Sequence, residues 1–167
     1  HFARHDDELA VAQRAGTLQR NFQGYSTRAG TDIYAFGMSS ISQLPRAYGQ
    51  HTKDLEEYHA DIDAGRLPVH RGVALTQDDV ERRHVIMRLM CDMGLDYARI
   101  SDDLGFNVAT RFADAIDSLD EFEEDGLLIR TPEALRITPR GRLFIRNVAM
   151  SFDAYLEEHH ARYSRTV

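Results

Sequence analysis

Cysteine is nearly absent from this chain. Cys91 is the only one, which excludes an internal disulfide framework and fits a reducing compartment, so a cytoplasmic location is expected. Long apolar runs are missing too. None reaches the roughly 18 residues that span a bilayer, and the amino terminus lacks the basic-then-apolar pattern of a signal segment, so no membrane partner is expected. Positive charge is also short. The formal net charge is −7, which argues against nonspecific nucleic-acid binding, because that mode needs clustered Lys and Arg to displace counterions. There is no internal repeat and no low-complexity stretch.

What is present is an ordinary soluble composition, 43% hydrophobic over 167 residues, enough for one domain or one domain plus part of another. Residues 6–15 read as a short helix with Asp6 or Asp7 as cap and Gly16 as stop. Residues 22–26 and 33–38 read as extended segments separated by a turn at 28–31. Residues 54–64 read as a helix closed by Gly65, with Leu55, Tyr58 and Ile62 in one apolar stripe. Pro68 marks a linker, and the domain boundary is expected between Gly72 and Thr76.

Beyond that boundary the pattern changes. Thr76 opens a helix that runs through Val80, Ile86, Leu89, Met90 and Met93 to a stop at Gly94. Residues 95–104 form a second helix, ended by Gly105. Residues 110–124 form a third, with Phe112, Ala115, Ile116, Leu119 and Phe122 inward and Gly126 as stop. A hairpin of residues 127–130 and 135–138 follows around Pro132-Glu133. Pro139 opens a long last helix carrying Leu143, Ile145, Val148, Phe152 and Leu156. This order of helices and hairpin is winged-helix-like.

A winged helix invites a DNA-binding reading, with the third helix in the major groove. Residues 111–125, however, carry one Arg against seven acids, Asp114, Asp117, Asp120, Glu121, Glu123, Glu124 and Asp125. That face repels phosphate, so no nucleic-acid partner is expected; it reads as a solvated helix face. The histidines give no metal site: His1 and His5 are near in sequence, and the adjacent pair His159-His160 points about 100° apart on a helix. Cys91 lies among Leu89 and Met90 and reads as a buried structural thiol, with no neighbour in sequence to lower its pKa.

The most informative stretches are Asn21-Phe22-Gln23-Gly24-Tyr25-Ser26-Thr27 and Gly37-Met38-Ser39-Ser40-Ile41-Ser42. An amide lies between two aromatics, and glycines and serines crowd a short apolar run. Glycine permits close backbone approach to a ligand, and Ser hydroxyls donate to anionic oxygens. Read alone, Phe22 and Ile41 are core and Gln23 caps a strand. Together the two stretches resemble the final barrel segments of the oxygen-independent coproporphyrinogen III oxidase family of radical S-adenosylmethionine enzymes. The resemblance continues in order through His1-Phe2-Ala3-Arg4, Asp6-Asp7-Glu8-Leu9-Ala10, Arg71-Gly72, Ile86-Met87-Arg88-Leu89-Met90-Cys91, Gly141-Arg142-Leu143-Phe144-Ile145-Arg146-Asn147 and Phe152-Asp153-Ala154-Tyr155-Leu156.

The resemblance implies an α+β, mostly helical fold: the last segments of a partial (β/α) barrel over residues 1–72, then a winged-helix-like C-terminal domain with a small β-hairpin over 73–167. It implies an oxidoreductase of haem biosynthesis that decarboxylates two propionates of coproporphyrinogen III to the vinyl groups of protoporphyrinogen IX. A 4Fe-4S cluster reduces S-adenosylmethionine to a 5′-deoxyadenosyl radical, which takes a hydrogen from the propionate. It places Phe22, Gln23 and Ile41 near a second S-adenosylmethionine. One thiol cannot hold such a cluster, so the chain is expected to be the C-terminal part of a longer, monomeric enzyme, with no catalytic or metal-binding residue of its own and inactive in isolation. Arg4, Arg20, Arg28, Arg46 and Arg71 are candidates to hold propionates, although surface solubility explains any one of them. The chain departs from the family at His5, where Pro is usual, at Pro45-Arg46 for Gly-Asp, and at His51 for Asn. A related radical enzyme or haem chaperone, and a non-catalytic winged-helix interaction module, are the alternatives.

Overall fold

The computed structural model describes residues 3–156. Two compact units divide the chain, His1–Val80 and Glu81–Val167. Both mix helix with small antiparallel sheets, and all strand pairings among the described residues are antiparallel.

In the first unit, α1 (Glu8–Arg14) starts where Asp7 Oδ1 accepts the Leu9 amide at 2.9 Å. A tight hairpin follows, β1 (Gln19–Asn21) with β2 (Gly24–Ser26). Phe22 and Gln23 are therefore the hairpin's turn rather than the start of a strand. The Asn21 side chain makes that turn by accepting the Gln23 amide at 2.9 Å. The expected strand over 33–38 is reduced to one bridge, Ile33 with Gln43. The segment instead loops, with Gly37 and Ser39 at φ 89° and 61°, a conformation that cannot continue a ladder. The strands lie just beyond it: β3 (Ile41–Leu44) and β4 (Ala47–His51). Helix α2 (Leu55–Asp63) is capped by Asp54 Oδ1, which accepts the Glu57 amide at 2.9 Å. Its expected inward stripe is not buried, since Leu55 is 53% and Ile62 47% exposed. The segment after Pro68, expected as a linker, is a strand, β5 (Val69–Ala74), paired with β4 to complete a sheet of order β3-β4-β5.

Helix α3 (Gln77–Asp92) opens on a reciprocal cap. The Thr76 amide donates to Asp79 Oδ2 at 2.8 Å and the Asp79 amide donates to Thr76 Oγ1 at 3.2 Å. Its stop is Met93, at φ 57°, not Gly94. Gly94 opens a strand, β6 (Gly94–Asp96), where a Cβ would meet the Leu135 carbonyl oxygen at 2.6 Å. Helix α4 (Tyr97–Leu104) is capped by Asp96 and ended by Gly105. The expected third helix breaks into α5 (Val108–Arg111), α6 (Ala113–Asp117) and α7 (Asp120–Glu124). The breaks turn the segment so that Phe112 and Leu119 are buried with Ala115, Ile116 and Phe122 packed behind them. The hairpin forms as β7 (Leu128–Arg130) and β8 (Ala134–Ile137), and β6 joins it in the order β6-β8-β7. The long last helix is shorter than expected: a 3-10 turn (Gly141–Phe144) leads into α8 (Ile145–Met150). Leu143 points outward, 88% exposed, while Ile145, Val148 and Phe152 are buried.

This second unit holds one core, built from Val85, Leu89, Leu95, Ile100, Val108 and Leu135 among others. Phe112 and Phe152 meet edge to face in it, with centroids 6.1 Å apart. Arg82 lies over Phe112 and donates from Nη1 to the Phe152 carbonyl at 3.1 Å. Gly141 sits hard against the backbone of Leu127. A Cβ there would fall on the Leu127 carbonyl oxygen. Two of the seven acids expected on a solvated face grip Arg130 instead. Glu123 Oε1 accepts the Arg130 amide at 2.6 Å, Oε2 accepts its Nε at 2.9 Å, and Asp120 pairs with Nη2 at 2.5 Å. The backbone N–H of Arg130, then its guanidinium, hold the Glu123 carboxyl below its ordinary range.

Candidate cofactor-binding site

Side chains alternate along the β3-β4-β5 sheet, and directly opposed residues share a face. The register Ile41↔Gln50↔Arg71 and Gln43↔Tyr48↔Val73 puts these six side chains on one face. The turn of the β1–β2 hairpin leans on it, with the Phe22 and Tyr48 rings edge to face and centroids 5.3 Å apart. Ile41 and Tyr48 are diagonal neighbours in this ladder, about 7–8 Å apart in a regular sheet. Two of the three residues singled out in sequence are thus tied to one sheet face, Ile41 as a member and Phe22 through Tyr48, and Gln23 follows Phe22 in the same turn. Phe22 is 55% exposed, so it is not core as its local sequence alone implied. The Gln23 carboxamide makes no hydrogen bond within the described chain. Gly72 lies next to Arg71 because a side chain there would meet the Tyr48 carbonyl oxygen at 2.8 Å.

The loop leading into Ile41 is held by residues whose role sequence reasoning missed. His51 is buried, and its Nδ1 lies 2.9 Å from the Gly37 carbonyl oxygen. A carbonyl only accepts, so Nδ1 carries the proton. Ser40 Oγ donates to the same oxygen at 2.5 Å, and the Gly37 amide donates to Tyr58 Oη at 3.2 Å. The Ser39 amide donates to the Thr52 carbonyl at 2.7 Å. Position 51 had stood out only as a departure from the family pattern, and Tyr58 only as part of an apolar stripe. Neither pattern signals a contact 14 or 21 residues away in sequence.

Of the five candidate arginines, Arg4 is tied to Asp6 at 3.2 Å and Arg20 lies 5.9 Å over the Tyr25 ring. Arg46 Nη1 reaches Gln77 Oε1 at 3.5 Å. Only the Arg28 backbone is engaged, its amide donating to Ser26 Oγ at 3.0 Å. Arg71 alone shares the face of Ile41. His5 uses its carbonyl to accept Arg14 Nη2 at 2.7 Å. His1, His159 and His160 lie outside the described residues. Cys91 is buried in the second unit, and no group of three or more His, Cys, Asp or Glu among the described residues is placed to hold a metal ion. These residues do not fit an iron–sulfur cluster. No helix among them is long and apolar enough to cross a membrane.

The residue types of Phe22, Ile41 and Gln23 fit S-adenosylmethionine: two apolar side chains, and an amide that both donates to a carboxylate and accepts from an ammonium.

Residues 75–144 match the HemN C-terminal domain family. The chain is 45% identical over 158 residues to the oxygen-independent coproporphyrinogen III oxidase of Escherichia coli strain K12, covering 95% of this chain and 35% of that protein. The Synechocystis protein of the same name is 45% identical, over 94% of this chain and 34% of its own length. The Helicobacter pylori protein of that name is 40% identical over 100% of this chain and 36% of its own length. Among solved structures, coproporphyrinogen III oxidase (HemN) from Escherichia coli, a radical SAM enzyme, matches with a TM-score of 0.87 at 44% identity, over 93% of this chain and 36% of that one. The chain spans about a third of the length of these relatives. It is, by sequence and by fold, a relative of the C-terminal portion of oxygen-independent coproporphyrinogen III oxidases.

Proposed function

We propose that this chain is the C-terminal portion of an oxygen-independent coproporphyrinogen III oxidase, and that the β3-β4-β5 face supplies a wall of its active site. The observation that carries this is the packing of Phe22 against Tyr48, on the same sheet face as Ile41, in a chain that matches the Escherichia coli enzyme along 95% of its length. In the reaction each of two propionates loses carbon dioxide, one hydrogen atom and one electron to become a vinyl group. S-adenosylmethionine and a 4Fe-4S cluster bound outside this chain supply the radical chemistry; the residues here bind and shield. Phe22 and Ile41 keep water and stray hydrogen donors from the reacting centre. Gln23 takes the amino-acid end of a second S-adenosylmethionine. Residues 1–72 form the closing segments of the partial (β/α) barrel, and residues 73–167 form the winged-helix-like domain. The enzyme works as a cytoplasmic monomer.

The test is anaerobic turnover of coproporphyrinogen III by the full-length, cluster-loaded protein that carries this chain. Protoporphyrinogen IX is the expected product. A fully loaded protein that leaves coproporphyrinogen unchanged contradicts the proposal. The isolated chain is expected to bind no cluster on anaerobic reconstitution with iron and sulfide, read by visible absorbance.

A further inference from the structure

We propose that Arg71 is a carboxylate-binding residue of this site; this rests on the functional reading above and goes one residue beyond it. Arg71 lies across β4 from Ile41, on the face that receives Phe22. Its Nε donates to Gln50 Oε1 at 2.8 Å, and Gln50 Nε2 donates in turn to the Ser39 carbonyl at 2.9 Å. Gln50 is thereby fixed at both ends of its amide and holds the guanidinium by one edge. The Nη1 and Nη2 groups have no partner among the described residues, and no carboxylate of the described chain pairs with this side chain. An arginine anchored through Nε has lost part of its rotamer freedom before any ligand arrives. It presents its two terminal amino groups as the fork that receives a carboxylate in two parallel hydrogen bonds. The other candidate arginines lack this combination of place and anchorage: Arg4, Arg20 and Arg46 are engaged elsewhere, and Arg28 lies outside the three strands and is held only through its backbone amide.

The ligand class is a carboxylate, and two sources meet at this site: a propionate of the tetrapyrrole and the methionyl carboxylate of S-adenosylmethionine. The experiment uses the full-length, cluster-loaded protein as wild type, Arg71→Ala, Arg71→Lys and Gln50→Leu, with Arg66→Ala as a surface control. Equilibrium dialysis with labelled S-adenosylmethionine, without tetrapyrrole, reads cofactor affinity and stoichiometry. Initial rates against coproporphyrinogen III read KM and kcat. Arg71→Ala is expected to weaken one of the two by about tenfold or more, the size of a lost bidentate pair. A raised KM with unchanged cofactor binding assigns the propionate; weakened cofactor binding assigns the methionyl carboxylate. Gln50→Leu is expected to shift the same parameter less, because the charge stays and only its anchorage goes. Should Arg71→Ala not accumulate as folded protein, Arg71→Lys decides: a shift in the same parameter supports the assignment, and wild-type values of both overturn it. An active wild type with an unaffected Arg71→Ala overturns this inference alone. A wild type without turnover overturns the functional reading and this inference with it.

Discussion

The second unit encloses Leu89, Leu95, Leu119, Leu128, Leu135 and Phe152 with almost no exposure, whereas the first buries only Ala12, Leu18 and Pro68 among its described apolar side chains. Tyr34, Phe36, Leu67 and Val73 stand exposed in the first unit. Its order comes from strand ladders and from polar pins such as His51 on Gly37, not from apolar burial. A unit with so little buried apolar surface cannot offset the conformational entropy of its own folding. The difference separates two tasks. One region stabilises itself. The other presents surface, and on the proposed reading that surface is completed by the rest of the enzyme and its ligands.

The largest expected effect comes from separating the two. Residues 75–158 retain α3 with its Thr76–Asp79 cap and the entire core, and are expected to melt as a cooperative helical unit by circular dichroism. Residues 1–72 are expected to show no cooperative transition. A cooperative melt of 1–72 alone would erase the contrast. Next in size is Gly141→Ala. The new methyl group has to displace the Leu127 backbone, so a loss of about 3 kcal/mol is expected in chemical denaturation. An effect near zero would show that the second unit is packed less tightly than its burial implies.

A smaller effect should appear with pH. Burial pushes the His84 pKa below 6.5, against the opposing pull of its partner Asp103 at 3.2 Å, while Arg88 and Arg99 push the same way as burial. The unfolded chain therefore takes up this proton first as pH falls, and stability drops from about pH 7.5 through 6.5 until the folded-state pKa is reached. His84→Gln should flatten that slope. Asp92, paired with Arg88 at 3.3 Å, acts in the opposite sense at lower pH. Burial raises its pKa above 3.8, so its contribution favours the folded state as pH falls through that window. An unaltered slope in His84→Gln would remove His84 from the account.

Local signals in the sequence carried much of the second unit. Thr76, Gly105 and Gly126 bound helices as their residue types imply, and the inward positions Phe112, Ala115, Ile116, Leu119 and Phe122 all pack into or against the core. Gly94 misled, because its lack of a side chain serves close approach to Leu135 rather than a helix stop. The breaks at Phe112 and Leu119 answer to the core and have no local signal. Strands β4 and β5 were illegible for the reason that makes the first unit distinct: Ala47, Gly49, Gly72 and Ala74 give no apolar alternation. Phe22, Gln23 and Ile41 were selected by family resemblance, since read alone Phe22 and Ile41 are core and Gln23 caps a strand. The Gln50–Arg71 contact depends on strand register, which no short motif specifies.

The most direct test of the proposed division of labour is Ile41→Asp in the full-length protein, with turnover, cluster content and helical signal measured side by side. The substitution places a carboxylate on the face that Ile41 shares with Tyr48, in place of a side chain proposed to pack against the cofactor, and its desolvation opposes cofactor binding once the site closes. The expected result is loss of turnover and of second-cofactor binding, with cluster content and helical signal at wild-type levels. Turnover near wild type would show Ile41 to be ordinary structure, and joint loss of cluster and helical signal would show it to be core; either result contradicts the account.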